Sequence, residues 1–296
     1  MRSLVPALSI LVAAIANTSY ALMAGSALAH FWLRDLTDVA RRLLRSLGIG
    51  SLVALIACHA VRPWFVAASM SGSTRFGEVL GLVPTILSAT RQGGLWYANC
   101  VALAVLAVAL FVALRGVTAG RWMMLAAWSV LAATKAASSH ASGDGDFTLA
   151  EISEWVHLLA TAVWAGTVVV SGLLVAPRLV VLPKASAFWD YGRRLSKTVT
   201  WALCLLVLSG LYAAWRDMHG NLSELWTGAW GKILLAKVTF VLLALSLGSL
   251  SRFRCLAMPP TNQRANLMVR LLRAEAIVML AILGLSSVLA NTSPAG

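Results

Sequence analysis

The chain has 296 residues, 59% of them hydrophobic and only 12% charged, with a mean hydropathy of +0.81. A soluble domain carries about 25% charge, so the composition excludes a soluble globular protein and points to an all-α, polytopic helical bundle embedded in lipid. The formal net charge of +13 raises nucleic acid as a partner. The basic residues, however, cluster in alternate connections between apolar runs, which is a topology signal and argues against that partner.

A hydrocarbon core of about 30 Å needs roughly 20 apolar residues per helix. In chain order the runs that meet this cover 4–29, 47–70, 96–114, 122–139, 152–176, 196–215, 231–250 and 270–290, about eight spans. In the first, Arg2 and Ala27-Leu28-Ala29 imitate a secretory signal. The run is long for one, and Arg34, Arg41, Arg42 and Arg45 behind it would stop transfer, so we read an uncleaved span. The second carries Cys58 and His59 at its middle and Met70 at its end. Between the second and third, residues 71–95 are broken by Gly, Ser and Pro84. Their apolar stretch, 79–89, is too short to cross and fits an outer-surface or re-entrant helix.

Arg115 and Arg121 flank the turn after span 3. A small, acidic loop follows span 4. The connections 177–195 and 251–269 are basic and contain proline, as cytoplasmic linkers do. The positive-inside rule then places both termini outside, which is the periplasm in a Gram-negative cell. We divide the chain into an N-terminal half, 1–134, with four spans and the segment 71–95, and a second membrane domain, 135–296, with four spans.

The four cysteines form no CxxC pair, so a disulfide framework is not expected. Cys58, Cys100, Cys204 and Cys255 read as apolar packing residues, with Cys58 beside His59 the one placed to act as a soft ligand.

Histidine carries the functional signal. Lipid offers nothing to an imidazole, so a His within a span faces protein, water, metal or haem. With this topology His140 lies at the outer end of span 4 and His157 one to two turns below the outer surface in span 5. Met218 and His219 lie just past the outer end of span 6, Met70 on the same side, and His59 in mid-span. Imidazole and thioether near one face are donors that copper accepts, and Asp144, Asp146, Glu151 and Glu154 add negative potential. On span 5 His157, Thr161 and Trp164 share one helix face, with Glu154 placed to hold the second imidazole nitrogen. Gly166 and Gly172 allow another helix to come close. The preferred ligands are His140, His157, His59 and Met70, with Glu154, Thr161 and Trp164 as supporting or path residues. Met218 and His219 are subsidiary: packing accounts for such a Met, as it does for Met70, and interfacial water for such a His, as for His30. Nucleophile–base sets, phosphate loops and nucleotide motifs are lacking, so no enzyme is expected.

Several stretches, in order, resemble the CopD/PcoD/YebZ family of bacterial copper proteins, and the resemblance implies the bacterial inner (plasma) membrane as the location. Ser139-His140-Ala141 stands before an acidic loop. His157-Leu158-Leu159-Ala160-Thr161-Ala162-Val163-Trp164-Ala165-Gly166 fits an H-x-x-A-x-x-x-W-x-G helix. Arg193-Arg194-Leu195-Ser196 with Ser209-Gly210, Gly231-Lys232-Ile233-Leu234-Leu235-Ala236-Lys237 with Leu247-Gly248 and Arg252, and Arg270-Leu271-Leu272-Arg273-Ala274-Glu275 continue the likeness. It is strong over 135–290. Earlier, Ala89-Thr90-Arg91-Gln92-Gly93-Gly94-Leu95-Trp96 is similar to the family's approach to span 3, with Asn99 or a neighbour where an arginine is usual.

The resemblance implies copper resistance and homeostasis, and generally a copper permease carrying the ion from periplasm toward cytoplasm. It also implies a periplasmic CopC-like copper carrier as partner. Cu(I) is the favoured species, because it suits thioether and neutral imidazole and sheds water more cheaply than a divalent ion. Two other functions fit the residues: a b-type haem electron carrier using His59 with His157, and a non-transporting copper-binding assembly or sensing protein.

Overall fold

The structure is a computed structural model and describes residues 4–33, 38–139, 145, 147–182, 185–218 and 224–292. Among the described residues the protein is helical nearly throughout and contains no strand. The elements are α1 (Leu4–Trp32), α2 (Asp38–Ser71), α3 (Phe76–Ala89), α4 (Arg91–Leu114), α5 (Thr118–Ala136) and α6 (Leu149–Val170). After α6 come a π-helical turn (Ser171–Val175), the short α7 (Ala176–Leu179), α8 (Ala185–Asp217), α9 (Glu224–Thr227) and α10 (Ala229–Ser251). A second π-helical turn (Arg252–Leu256) leads to α11 (Asn262–Leu289).

Among the described residues, seven helices are long and apolar enough to cross a membrane: α1, α2, α4, α6 continued to Leu179, α8, α10 continued to Leu256, and α11. The eighth expected span, 122–139, is α5, with 19 residues. At 1.5 Å per residue it is about 28 Å long, but Arg121 and Lys135 near its ends make it less apolar than the other seven. The Lys135 ammonium donates to Asn17 Oδ1, and such terminal cations can reach the interface along their stems. The apolar stretch expected at 79–89 is the 14-residue helix α3, too short to span.

Two expected linkers are shorter than anticipated. The basic stretch read as a connection over 177–195 is helical from Ala185, and α8 carries Arg193, Arg194 and Lys197 in its early turns. Likewise α11 begins at Asn262, inside the expected linker 251–269, with the Thr261 hydroxyl accepting from Arg264 N at its start. Arg and Lys are good helix formers, so charge ends a span without ending its helix.

The chain forms two compact units, Met1–Ser19 with Ile49–Leu159, and Tyr20–Gly48 with Ala160–Gly296. In the first unit, Val79 and Ile86 of α3 pack on Ala67 and Ala68 of α2. The Thr90 hydroxyl caps α4 through Gly93 N, 3.2 Å away. The turn from α4 into α5 uses Gly116 at φ +84°, a conformation that costs glycine little.

In the second unit the helices meet at glycines. A Cβ added at Gly25 of α1 would strike the Gly166 carbonyl of α6, and one at Gly166 would strike the Ala21 carbonyl. Gly172 meets the Leu272 carbonyl of α11 in the same way. The close approach read from Gly166 and Gly172 is therefore present, and α1 and α11 are the partners. Beneath it, Ser171 Oγ and Tyr191 Oη share a hydrogen bond of 2.7 Å, both side chains fully inside. The Tyr191 ring meets Trp32 edge-on at 5.6 Å. Pro177 follows the first π-helical turn and lacks the N–H a regular helix would need there, so the wider turn falls where the ladder is already broken.

This packing makes the glycines unequal. We expect Gly166→Ala to lower thermal stability in detergent by several degrees, because backbone on both helices must move apart. Gly50→Ala, with nothing within 4 Å of the added carbon, should be neutral or stabilising by about 0.5–1 kcal/mol from helix propensity. Equal melting temperatures for the two variants would contradict the close α1–α6 contact.

Candidate functional site

The first unit places a histidine, a cysteine and a tryptophan together inside the bundle. The starting point is Pro63 in α2. A proline has no N–H, so the carbonyl four residues earlier loses its helical donor; here that carbonyl belongs to His59. The Trp96 indole N–H on α4 donates to it at 3.1 Å. In return the His59 ring lies flat on the Trp96 ring, with centroids 5.2 Å apart and planes 12° apart.

The imidazole Nε2 then faces the Trp96 carbonyl at 3.2 Å and Cys100 Sγ, one turn further along α4, at 3.5 Å. With its proton on Nε2 the ring donates to the carbonyl. With the proton on Nδ1, Nε2 is a lone pair directed at the thiol. Imidazole and sulfur side by side are donors for a soft cation. Metal–nitrogen and metal–sulfur bonds of about 2.0 and 2.3 Å would hold the two atoms about 4.3 Å apart in a linear pair, so a bent arrangement or a shift of under about 1 Å admits an ion.

Beside the imidazole lies a cavity of about 20 Å³, bordered by His59, Arg62, Trp96, Asn99 and Ser138. That is room for one water or one ion. Its polar rim is internally satisfied. Arg62 Nη2 donates to Ser138 Oγ at 3.1 Å, Thr134 Oγ1 to Asn99 Oδ1 at 2.7 Å, and Asn99 Nδ2 to the Leu95 carbonyl at 3.0 Å.

The other expected residues that the structure describes do not border this cavity. Met70 is 64% exposed at the end of α2. It lies 11 residues from His59 on the same helix, a rise of about 16 Å, so the two cannot share an ion. His157 is half-buried in the first unit, on α6. Two residues before it, the Trp155 indole N–H donates to the Ser129 carbonyl at 3.1 Å and ties α6 to α5. Glu154 is also half-buried.

Further along α6, in the second unit, Thr161 Oγ1 and Trp164 Nε1 are buried without a hydrogen-bond partner among the described residues. Met218 is buried just beyond α8. His140 and His219 lie outside the described residues. Among the described residues, no group of three or more His, Cys, Asp or Glu is assembled for a metal. The pocket at His59 brings together, among the described residues, two groups of the kind a soft metal accepts, the imidazole and the Cys100 sulfur.

Two residues escaped the sequence. Cys100 reads as apolar packing, because its distance of 41 residues from His59 carries no local signal. Glu275 appears only as part of a family-like stretch, although an acid inside an apolar helix is itself a signal. It is 3% exposed.

The long apolar helices define a multi-pass helical membrane protein. Residues 3–149 match the N-terminal domain of copper resistance protein D-like proteins, and residues 190–289 match copper resistance protein D. The chain belongs to the copper resistance protein D family, and its function is a copper-related one at a membrane. It is similar to the copper transport protein CutJ of Bacillus subtilis (strain 168), with 24% identity over 279 residues, 91% of this chain. The chain spans about half the length of that relative. No solved structure matches it.

The Pro63–Trp96 arrangement predicts a thermodynamic coupling. Trp96→Phe keeps the stacked ring but removes the donor, and should destabilise the detergent-solubilised protein by about 1–3 kcal/mol, the cost of an orphaned buried acceptor. In a Pro63→Ala background, where residue 63 regains its N–H, the same change should cost clearly less. Thermal unfolding of the four proteins checks this, and additive losses would show that the indole is not replacing the helical donor.

Proposed function

We propose that this protein is a copper permease of the bacterial inner membrane that carries Cu(I) from the periplasmic side toward the cytoplasm. The observation that carries this reading is the His59–Cys100 pair beside an ion-sized cavity between two apolar helices, α2 and α4, in a chain of the copper resistance family. An imidazole and a sulfur suit a soft monovalent ion. A Cys100 thiolate would neutralise bound Cu(I), which lowers the cost of holding it in a low-dielectric setting and next to Arg62.

In this reading the outer-face residues His140 and His157, with Met70 and the subsidiary Met218 and His219, take the ion first, and Glu154, Thr161 and Trp164 lie along its way. A periplasmic CopC-like carrier delivers it. The similarity to a copper transport protein supports transport over storage. The membrane potential, worth about 2.3 kcal/mol per charge at 100 mV, favours inward movement of a cation without another energy source.

The test is Cu(I) uptake by purified protein in liposomes under anaerobic conditions. Wild type should show saturable uptake. His157→Ala, and more fully His140→Ala/His157→Ala, should abolish it with the protein still inserted. Cys100→Ser should weaken Cu(I) retention against a competing chelator by about 10–100-fold, the scale on which metal-site changes act. Binding without uptake in the wild type would make the protein a copper-binding assembly or sensing component. A haem absorbance with no copper bound would overturn the copper reading altogether.

A further inference from the structure

A second polar position lies inside the other unit, where no role has been given to it. Glu275 is in the middle of α11, 3% exposed. Among the described residues it forms no salt bridge. A carboxylate buried in a membrane helix without a cation is costly by several kcal/mol. The position therefore calls for a positive charge, supplied by a proton or by a metal ion.

Its surroundings fit a visiting ion better than a packed neutral acid. Gly248 of α10 faces the carboxyl, and a Cβ there would stand 3.3 Å from Glu275 Oε1, so glycine leaves the group its space. The Trp164 indole of α6, 2% exposed, is the side-chain donor within reach of the carboxyl, yet its N–H stays outside hydrogen-bond geometry. One turn away on α6, Thr161 Oγ1 is likewise buried without a partner. Buried polar atoms are nearly always paired, so an indole N–H poised at a buried carboxyl without completing a hydrogen bond marks a place where water or an ion belongs. Met279 stands four residues beyond Glu275 on the same buried face of α11, fully enclosed. Its thioether is a soft donor. The two π-helical turns, at Ser171–Val175 and Arg252–Leu256, begin within two turns of Trp164 and Gly248 along their helices, and such turns recur at functional sites.

We propose that Glu275 forms an intramembrane binding site for monovalent copper in transit, with Trp164 orienting its carboxylate and Met279 supplying sulfur. This rests on the permease reading for its ligand. The ion brings the missing charge, and the exchange balances: Cu(I) binds the carboxylate, and any proton held there leaves to water.

The experiment combines two readouts on full-length protein in liposomes, with Cu(I) alone as the probe: the infrared difference spectrum on loading, and uptake. In wild type, loading should shift carboxyl bands. In Glu275→Gln those bands should vanish, Cu(I) affinity at this site should fall at least tenfold, and uptake should drop at least tenfold. Met279→Leu and Trp164→Phe, which keep the carboxyl, should retain a weakened spectral change, and they carry the test if Glu275→Gln fails to insert. His59→Ala should leave the carboxyl bands in place.

Copper loading that moves no carboxyl band in wild type, or uptake and affinity unchanged in Glu275→Gln, overturns the site while leaving the permease reading intact. Carboxyl bands that respond to Cu(I) in a wild type that does not transport would support the site and defeat the permease.

Discussion

Lipid supplies no hydrogen bonds, and every polar group inside this protein must be answered by another part of the protein. That constraint governs more of the structure than hydrophobicity does. Apolar surface is abundant on every span and does not choose between helix partners, since lipid is as apolar as leucine. The choice is made where the backbone comes close, at Gly25, Gly166 and Gly172, and where a polar atom finds its answer. Ser171 finds Tyr191, Thr134 finds Asn99, and the His59 carbonyl finds the Trp96 indole.

The His59 site shows how one rule violation becomes a site. Proline within a helix costs a hydrogen bond, and a neighbouring helix can recover it only with a donor at one height and orientation. Trp96 is that donor, and its size brings a ring against the imidazole. The ring fixes the imidazole plane, and that plane points Nε2 at Cys100. Two donors are thus positioned by a backbone defect four residues from one of them. The geometry at His59 is a consequence of satisfying Pro63, with no additional machinery required to aim the histidine.

This also explains what could be read in the sequence. Spans are legible because their signal is local: twenty apolar residues in a row. The length of α8 and the start of α11 were less so, because arginine marks the end of hydrocarbon and not the end of a helix. His59 was visible as a histidine too deep for water. Cys100 was not, since its meeting with His59 depends on how α2 and α4 rotate against each other. Met70 read as a ligand from its position near the outer face, and its exposure depends on packing that composition does not encode. Gly166 and Gly172 were legible as close-approach points, while the identity of the approaching helices came only with the fold.

Glu275 and His59 are answered differently by their surroundings, and the difference bears on what each can do. His59 is held by a stacked ring, a carbonyl and a thiol. An ion arriving there must displace existing interactions, which gives a site that discriminates. Glu275 has a small residue facing it and the unsatisfied Trp164 indole within reach. An ion arriving there displaces little and completes what is missing. Ion handling in membranes uses both kinds of place, because binding must be selective enough to admit the right ion and weak enough to release it. A carboxylate suits the second task for Cu(I), since a hard oxygen donor holds a soft ion less firmly than sulfur does.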